Sequence, residues 1–390
     1  MSFCANGGKR PVWLASGEQR LRAPHASRAR MGFAFTNLIE LQDLAAAKVP
    51  RSTFDYIAGG ADDEVSLRRN RAAYDKWAIR PRVLVDVSKR DISTTVLGQR
   101  ISMPILVAPT AFHGLVHAEG ERATSRGTAA AGSLMVVSAI ATKSLEDVAS
   151  AVAAPRWFQL YVWKDREVTA DLVKRATKAG YRAIVLTVDT PLLGRREKDE
   201  RNAFTLPPSL GIANVRRAGL DGMPASDRGS AFAKYVSEQL DPAVTWRDIA
   251  WLRSLTSIPI VLKGIMTRED AVLAVENGAN GIVVSNHGGR QLDSTLGTLD
   301  ALPDIVDAVR GRAEVYMDGG IRRGTDVLKG LALGAKAVLL GRPILWGLAL
   351  AGAEGVRAVL DHLRKEFDLA MALAGCSKIA EIDRKLVQPA

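Results

Sequence analysis

The sequence predicts an α/β fold, a closed parallel (β/α)8 barrel, and three observations carry that expectation. After residue 100 the chain repeats short apolar runs rich in β-branched residues, eight in all. Each run is followed by a polar turn and a segment of helical periodicity. Most successive runs start 20–35 residues apart, enough for one strand and one crossover helix. That pattern is the TIM-barrel arrangement, whose working face lies at the C-terminal ends of the strands.

Taken in order, 37–48 reads as an amphipathic helix stopped by Pro50, and 62–73 as another helix. Segments 77–85 and 92–97 are expected to pair as a β-hairpin plugging the barrel's bottom. The strands fall at 103–109, 134–140, 157–162, 183–189, 258–264, 281–286, 314–318 and 337–341. Continuous apolar sequence of this length suits strands buried on both faces. Helices follow at 118–131, 144–152, 167–179, 245–256, 267–277, 299–310, 324–333 and beyond 345. Gly132, Gly180, Gly278, Gly311 and Gly334 stand where helix C-caps belong. One interval breaks the rhythm, since about 75 residues separate the starts of the fourth and fifth strands. The excess, about 195–244, is polar and rich in Gly, Pro, Arg and Ser, and is expected to be a lid or a structureless segment.

Composition sets the bounds. With 390 residues, 47% of them hydrophobic, the chain can fill one barrel. No apolar run approaches the roughly 20 residues of a bilayer span, so no membrane partner is expected. Cys4 and Cys376 make no disulfide framework, which points to a reducing, cytoplasmic compartment. The net charge of +11 suggests nucleic acid, but residues 1–31 supply +5 of it through Lys9, Arg10, Arg20, Arg22, Arg28 and Arg30 against Glu18. The rest is scattered and no reader motif accompanies it, so no nucleic-acid partner is expected. Residues 1–35 are therefore set apart as a basic tail, and 36–390 as the barrel domain. A transit peptide would explain that tail; a start codon placed too early, with Met31 the true start, explains it more simply.

The chemistry gathers at predicted strand ends. In Val283-Val284-Ser285-Asn286-His287-Gly288-Gly289-Arg290, strand alternation would carry His287 to the mouth, with Arg290 beyond two permissive glycines. Histidine is the side chain suited to accept a proton near neutral pH. Thr187 and Asp189 share a face at the end of the fourth strand, and a buried Asp189 needs a cation such as a protonated His287. Gln159 and Tyr161 share a face at the end of the third. Lys263 closes the fifth strand as a Schiff-base nucleophile, a fixed charge beside an anion, or a structural ion-pair partner. Asp318-Gly319-Gly320-Ile321-Arg322 and Gly341-Arg342-Pro343 end the last two strands, where such barrels bind phosphate. No metal site is read.

Together these segments resemble the FMN-dependent L-2-hydroxy acid oxidases and dehydrogenases, which include glycolate, lactate and mandelate oxidases. The resemblance runs from about residue 36 to 370 and includes Phe54-Asp55-Tyr56, Ala108-Pro109-Thr110-Ala111, Gln159-Leu160-Tyr161, Thr187–Pro191 with Arg195-Arg196, and Ser285–Asp293. It implies FMN as cofactor and a small 2-hydroxy acid as substrate. His287 is then the base, Asp189 stabilises its imidazolium, and Tyr161 faces the reacting hydroxyl. Arg196, Arg290 and Tyr56 hold the carboxylate. Lys263 lies near the anionic end of the reduced flavin ring. Pro109, Thr110, Ala111, Ser138, Gln159, Thr187 and Ser285 belong to the flavin set, and Asp318, Gly320, Arg322, Gly341 and Arg342 to the ribityl and phosphate.

Two positions depart from the glycolate oxidases. Ile140 stands where they usually carry a bulky aromatic, which leaves room for lactate, longer aliphatic or mandelate-like acids. Small Ala111 sits where oxygen reactivity is commonly decided in this family. Ala111 favours an oxidase that returns electrons to O2 as hydrogen peroxide over a dehydrogenase passing them to a quinone or cytochrome. The resemblance further implies a homotetramer. A rival from another class is a Schiff-base aldolase built on Lys263, which would leave His287, Arg290 and Arg196 without a shared purpose.

Overall fold

Eight strands close on one another in chain order: β4 (Ile105–Val107), β5 (Met135–Ser138), β6 (Arg156–Leu160), β7 (Ile184–Thr187), β8 (Ile260–Ile265), β9 (Gly281–Val284), β10 (Glu314–Met317) and β11 (Ala337–Leu340), which pairs back with β4. All pair in parallel, and each was expected within a few residues of its position. The computed structural model describes residues 34–224 and 229–390, and Phe35–Ala390 forms one compact unit. The basic tail, but for its last two residues, lies outside the described residues.

The outer helices are α4 (Gly120–Ala130), α5 (Leu145–Ser150), α6 (Arg166–Lys178), α9 (Arg247–Leu255), α10 (Arg268–Glu276), α11 (Thr298–Val309), α12 (Gly324–Ala332) and α13 (Arg342–Ala374). Gly132, Gly180, Gly278, Gly311 and Gly334 all have positive φ, as the C-cap reading requires. By length and composition α13 could cross a bilayer, which the sequence reading did not register. It is in fact two helices merged across a break at Ala351 and Gly352, and 67% of its most apolar stretch is buried.

Before the barrel come α1 (Leu38–Lys48), α2 (Arg51–Ala58) and α3 (Val65–Asp75). The sequence reading missed α2, because Pro50 was taken only as the stop of α1. Proline also suits the start of a helix, where its missing N–H costs nothing, and here it is the N-cap of α2.

The expected hairpin is corrected. β1 (Trp77–Ile79) pairs antiparallel with the C-terminal β12 (Val387–Pro389), and β2 (Thr94–Val96) pairs with β3 (Gln99–Ile101). The intended partner of 92–97 was thus five residues downstream, across a Leu97-Gly98 turn in which both residues have positive φ. The β2–β3 hairpin does close the bottom. Val96 and Ile101 join the barrel core, and the Leu97 N–H donates to Glu314 Oε2 at 3.0 Å. The Trp157 indole donates to Gln99 Oε1 at 2.8 Å.

The lumen is layered. Its lower layers are apolar, with Val136, Trp157, Val185, Val261, Val283, Tyr316 and Leu339 all buried in one cluster. Two residues further along the same strands the inward side chains turn polar: Ser138, Gln159, Thr187, Lys263, Ser285 and Asp318. Period-two alternation therefore stacks the chemistry on top of the core.

Of the two readings of the insertion, a lid or a structureless segment, the second is corrected. The insertion is not structureless: α7 (Glu197–Arg201), a 3-10 turn (Ala213–Ala218) and α8 (Ala231–Gln239) occupy it. Phe204, Ile212, Phe232, Tyr235 and Val236 are buried there. Sparse apolar residues in a polar sequence were enough to pin it, since Phe204 stacks on Tyr56 at 4.1 Å and Phe232 meets Phe112 edge-on at 5.2 Å.

Candidate active site

One cavity of about 1130 Å³, counting its open mouth, lies over the polar layer. Its walls include the expected Tyr56, Pro109, Thr110, Ala111, Ser138, Ile140, Gln159, Tyr161, Thr187, Arg196 and Lys263. They also include His287, Arg290, Asp318, Gly320, Arg322, Gly341 and Arg342. Asp189 and Ser285 do not line it; each stands behind a residue that does.

His287 does not sit on a strand face. β9 ends at Val284, and His287, Gly288 and Gly289 follow with φ of 58°, 66° and 75°. The alternation argument reached the correct residue by the wrong path, because a left-handed turn, not the pleat, aims the imidazole. That conformation is uncommon for a side-chain-bearing residue and costs strain. The turn is held by Asn286, which exchanges amide hydrogen bonds with Asn70 at 2.8 and 3.0 Å and accepts from the Gly289 N–H at 3.0 Å. At Gly289 a Cβ would lie 2.5 Å from the Leu67 backbone nitrogen, so only glycine fits.

His287 Nδ1 lies 2.9 Å from Asp189 Oδ1. A carboxylate only accepts, so Nδ1 carries the hydrogen and Nε2 is left to take a proton. Burial lowers the histidine from its ordinary value, Asp189 raises it, and Lys263 lowers it again, with a net fall. Asp189 was expected to raise His287; it does so, but desolvation outweighs it. Asp189 is itself lowered overall: burial opposes its charge, but His287 and Lys263 more than offset that. Space for this carboxylate comes from Gly264, where a Cβ would lie 2.6 Å from the Asp189 Cβ. Gln291 laces the two loops together, donating to the carbonyls of Asp189 and Leu192 at 2.8 and 2.9 Å.

The polar layer forms two linked groups. Ser138 Oγ donates to Gln159 Oε1 at 3.1 Å, and Gln159 Nε2 donates to Thr187 Oγ1 at 3.0 Å. Lys263 Nζ donates to Ser285 Oγ at 2.9 Å and pairs with Asp318 Oδ2 at 3.2 Å. Burial pushes the Tyr56 and Tyr161 phenols up from their ordinary value, so both are hydrogen donors at neutral pH.

Four buried or half-buried arginines face the cavity, and α2 organises two of them. Arg290 Nη1 donates to the carbonyls of Tyr56 at 2.7 Å and Gly59 at 2.9 Å. Arg342 donates to Ile57 at 3.0 Å, Gly59 at 2.8 Å and Gly288 at 2.9 Å. The last carbonyls of a helix lack intrahelical partners and carry its negative end, so they suit guanidinium groups. Burial lowers Arg196 and Arg322 to about 10 each, and holds Arg342 well below its ordinary value.

Residues 45–389 match the family described as FMN-dependent dehydrogenase. The chain belongs to that family. An L-lactate oxidase from Nostoc sp. is 52% identical over 351 residues, which is 89% of this chain and 96% of the relative. The 2-hydroxyacid oxidase 1 of Homo sapiens is 53% identical over 347 residues, 88% of this chain and 94% of its own length. The crystal structure of a mandelate oxidase with (S)-4-hydroxymandelic acid aligns with a TM-score of 0.87 at 42% identity, covering 91% of this chain and 99% of that one. Members of the FMN-dependent dehydrogenase family use FMN, and the cavity fits it. Arg322 and Arg342 are buried cations whose hydrogen bonds go to carbonyls, with Arg322 donating to Ile321 at 2.8 Å. Asp318 Oδ1 is buried and accepts no hydrogen bond among the described residues. Such groups call for an anionic, hydroxyl-bearing ligand. The Lys263 aldolase reading has no place in this family.

Sequence reasoning missed Asp199 on α7, Gly264, and the apolar wall made by Leu193, Phe232, Val236 and Leu240. The signal for the first was an acid three residues after Arg196; the others follow only from how the insertion folds back.

Proposed function

We propose that this chain oxidises an L-2-hydroxy acid with an apolar side chain to the 2-oxo acid, with O2 restoring the flavin and yielding hydrogen peroxide. The observation that carries the reading is a neutral His287, steered by Asp189, in one cavity with Arg196, Arg290, Tyr56 and Tyr161. Arg196 and Arg290 bind the substrate carboxylate, and the Tyr56 phenol donates a hydrogen bond to it. His287 Nε2 takes the hydroxyl proton, and Asp189 stabilises the imidazolium that results. Tyr161 orients the same hydroxyl. Bound FMN supplies the two-electron acceptor for the hydrogen on the 2-carbon. Ser138, Gln159 and Thr187 with the 109–111 segment would hold its ring, Lys263 would supply positive charge beside it, and Asp318, Gly320, Arg322, Gly341 and Arg342 would hold ribityl and phosphate.

The side-chain end of the cavity favours bulk over glycolate. Ile140, Leu193, Phe232, Val236 and Leu240 line it, so a methyl, alkyl or aryl group buries apolar surface there. We also infer a homo-oligomer. Val83 and Leu84 are exposed on a loop tied to the end of α13, which carries exposed Leu369 and Leu373, and a second copy would cover that patch. Light scattering giving a monomer mass would remove that part of the reading.

The test is the visible spectrum of the purified protein under argon with L-lactate, L-mandelate and glycolate in turn. Bleaching of flavin bands by the first two and weakly by glycolate is expected, with prompt recovery and peroxide on admitting air. Slow recovery without peroxide would make the enzyme a dehydrogenase, and a protein that takes up no FMN would sink the whole reading.

A further inference from the structure

Beside the catalytic cavity lies a second one for which the reaction so far has no use. It measures about 1130 Å³ with its open mouth counted, between the end of the insertion, the ends of β7 and β8, and the first turn of α10. The stem of the insertion is fixed there by strand-like bonds to the end of β6. The Asp241 N–H donates to the Val162 carbonyl and the Lys164 N–H to the Gln239 carbonyl, both at 2.9 Å.

Tyr161, Thr187, Thr190 and Leu240 line both cavities, so a partition one side chain thick separates them. Thr190 Oγ1 donates to Asp189 Oδ1 at 3.0 Å, and the Tyr161 phenol is hydrogen-bonded to Thr190. That part of the partition is pinned. Leu240 is its one member without a polar group, held by van der Waals contact alone. Thr187 belongs to the set that would hold the flavin ring, so the second cavity ends against the ring's own wall.

The two cavities differ in charge. His287, Lys263 and four arginines face the first, which suits anions. Among the described residues, no Lys, Arg or His lines the second. Its charged lining residues are Asp241 and Asp270. Asp241 pairs with Arg166 at 2.7 Å, but Arg166 is shared with Asp248 at 3.0 Å. Asp270 forms no ion pair among the described residues, so acid exceeds base around this cavity. Val162, Val188, Pro242, Val244, Ile249 and Ile265 make much of the remaining wall. A carboxylate, whether substrate or product, would lose hydration there and gain no cation. A small neutral apolar molecule meets no such cost.

We propose that the second cavity is an entry path for O2, which passes Leu240 to reach the ring wall at Thr187 while the arginine end is still occupied by a carboxylate. The inference rests on O2 being the oxidant. Substrate and oxidant then use separate doors, sorted by charge: cations draw the acid to one, and an acidic, apolar lining keeps it out of the other.

The experiment fills the cavity through Val244, which lines the second cavity and not the first. In flavin-loaded wild type, Val244→Phe and Val244→Trp, the flavin is reduced by light with no hydroxy acid present and mixed with O2 by stopped flow. Reduction by L-lactate is followed separately under argon. Reoxidation should slow about threefold with phenylalanine and about tenfold or more with tryptophan, with reduction within about twofold of wild type. Crystals of the flavin-loaded wild type under xenon, an apolar stand-in for O2, should hold xenon in this cavity, and crystals of Val244→Trp should not. Reoxidation at the wild-type rate in a variant that xenon no longer enters overturns the inference, as does a wild-type cavity that takes up no xenon. Equal slowing of both half-reactions also overturns it, marking disturbed packing. Slower reduction with normal reoxidation would give the cavity to the substrate's side chain instead. Wild-type flavin that O2 reoxidises slowly and without peroxide would overturn the oxidase reading itself, a result seen before any variant is made.

Discussion

The two pairs of buried arginines in this cavity are chemically identical and differ in what stands behind them. Arg196 and Arg290 are backed by a buried Asp199, whose Oδ2 lies 3.9 Å from Arg196 Nη1 and accepts no hydrogen bond among the described residues. Arg322 and Arg342 are backed by carboxylates that already have cations of their own. The lesson is that an arginine in a pocket has to be read together with the buried groups behind it. The pairs are also tied together, since Arg290 and Arg342 both donate to the last carbonyls of α2.

The largest expected effect breaks the comparison at its chemical step. His287→Asn should lower turnover about 1,000-fold while FMN content stays normal. Loss of flavin in that variant would mean that the two ends are not independent. Next comes the division of labour between the arginine pairs. Arg342→Leu should weaken FMN binding about 100-fold, measured by fluorescence titration, whereas Arg196→Leu should leave FMN affinity alone and cost about 100-fold in kcat/KM. Equal flavin loss in both would erase the distinction.

A subtler effect is in pH. His287 is lowered from 6.5, so the base is neutral above that value, and kcat/KM should fall only as pH drops below it. Asp189 raises the histidine, so Asp189→Asn should move that acid limb lower still, alongside its loss in rate. A limb moving upward would show that Asp189 does not stabilise the protonated ring. The smallest effect serves as the control at the barrel's other end. Gly98 has φ of 77° with open space around it, so Gly98→Ala should cost about 1 kcal/mol in a denaturant titration through strain alone and leave flavin binding and kcat untouched.

Much of this was legible beforehand because the signals are local. A strand buried on both faces must be apolar throughout, so β4 to β11 stood out one by one. Glycine caps marked the helices between them, and polar residues at strand ends marked the mouth. The errors came where local rules meet a distant partner. Pro50 could end one helix or begin the next, and only the contact of α2 with Arg290 and Arg342 decided for the second. Thr94–Val96 could pair with either neighbour, and the tight turn at Leu97-Gly98 together with burial of Val96 and Ile101 decided which.

By itself, then, the sequence determined the barrel, the polar layer two residues above its core, and the identity of the histidine, aspartate, lysine and arginines at the mouth. The barrel and its polar layer follow from periodicity, which every residue reports about its own strand, whereas the residues at the mouth were named from strand-end motifs and from the family resemblance they carry. The tertiary structure alone decided that His287 is neutral despite Asp189, that the insertion is folded by a few aromatic contacts, and that a buried Asp199 stands behind one arginine pair. Burial and charge balance are sums over neighbours far apart in the chain, and no single stretch of residues carries them.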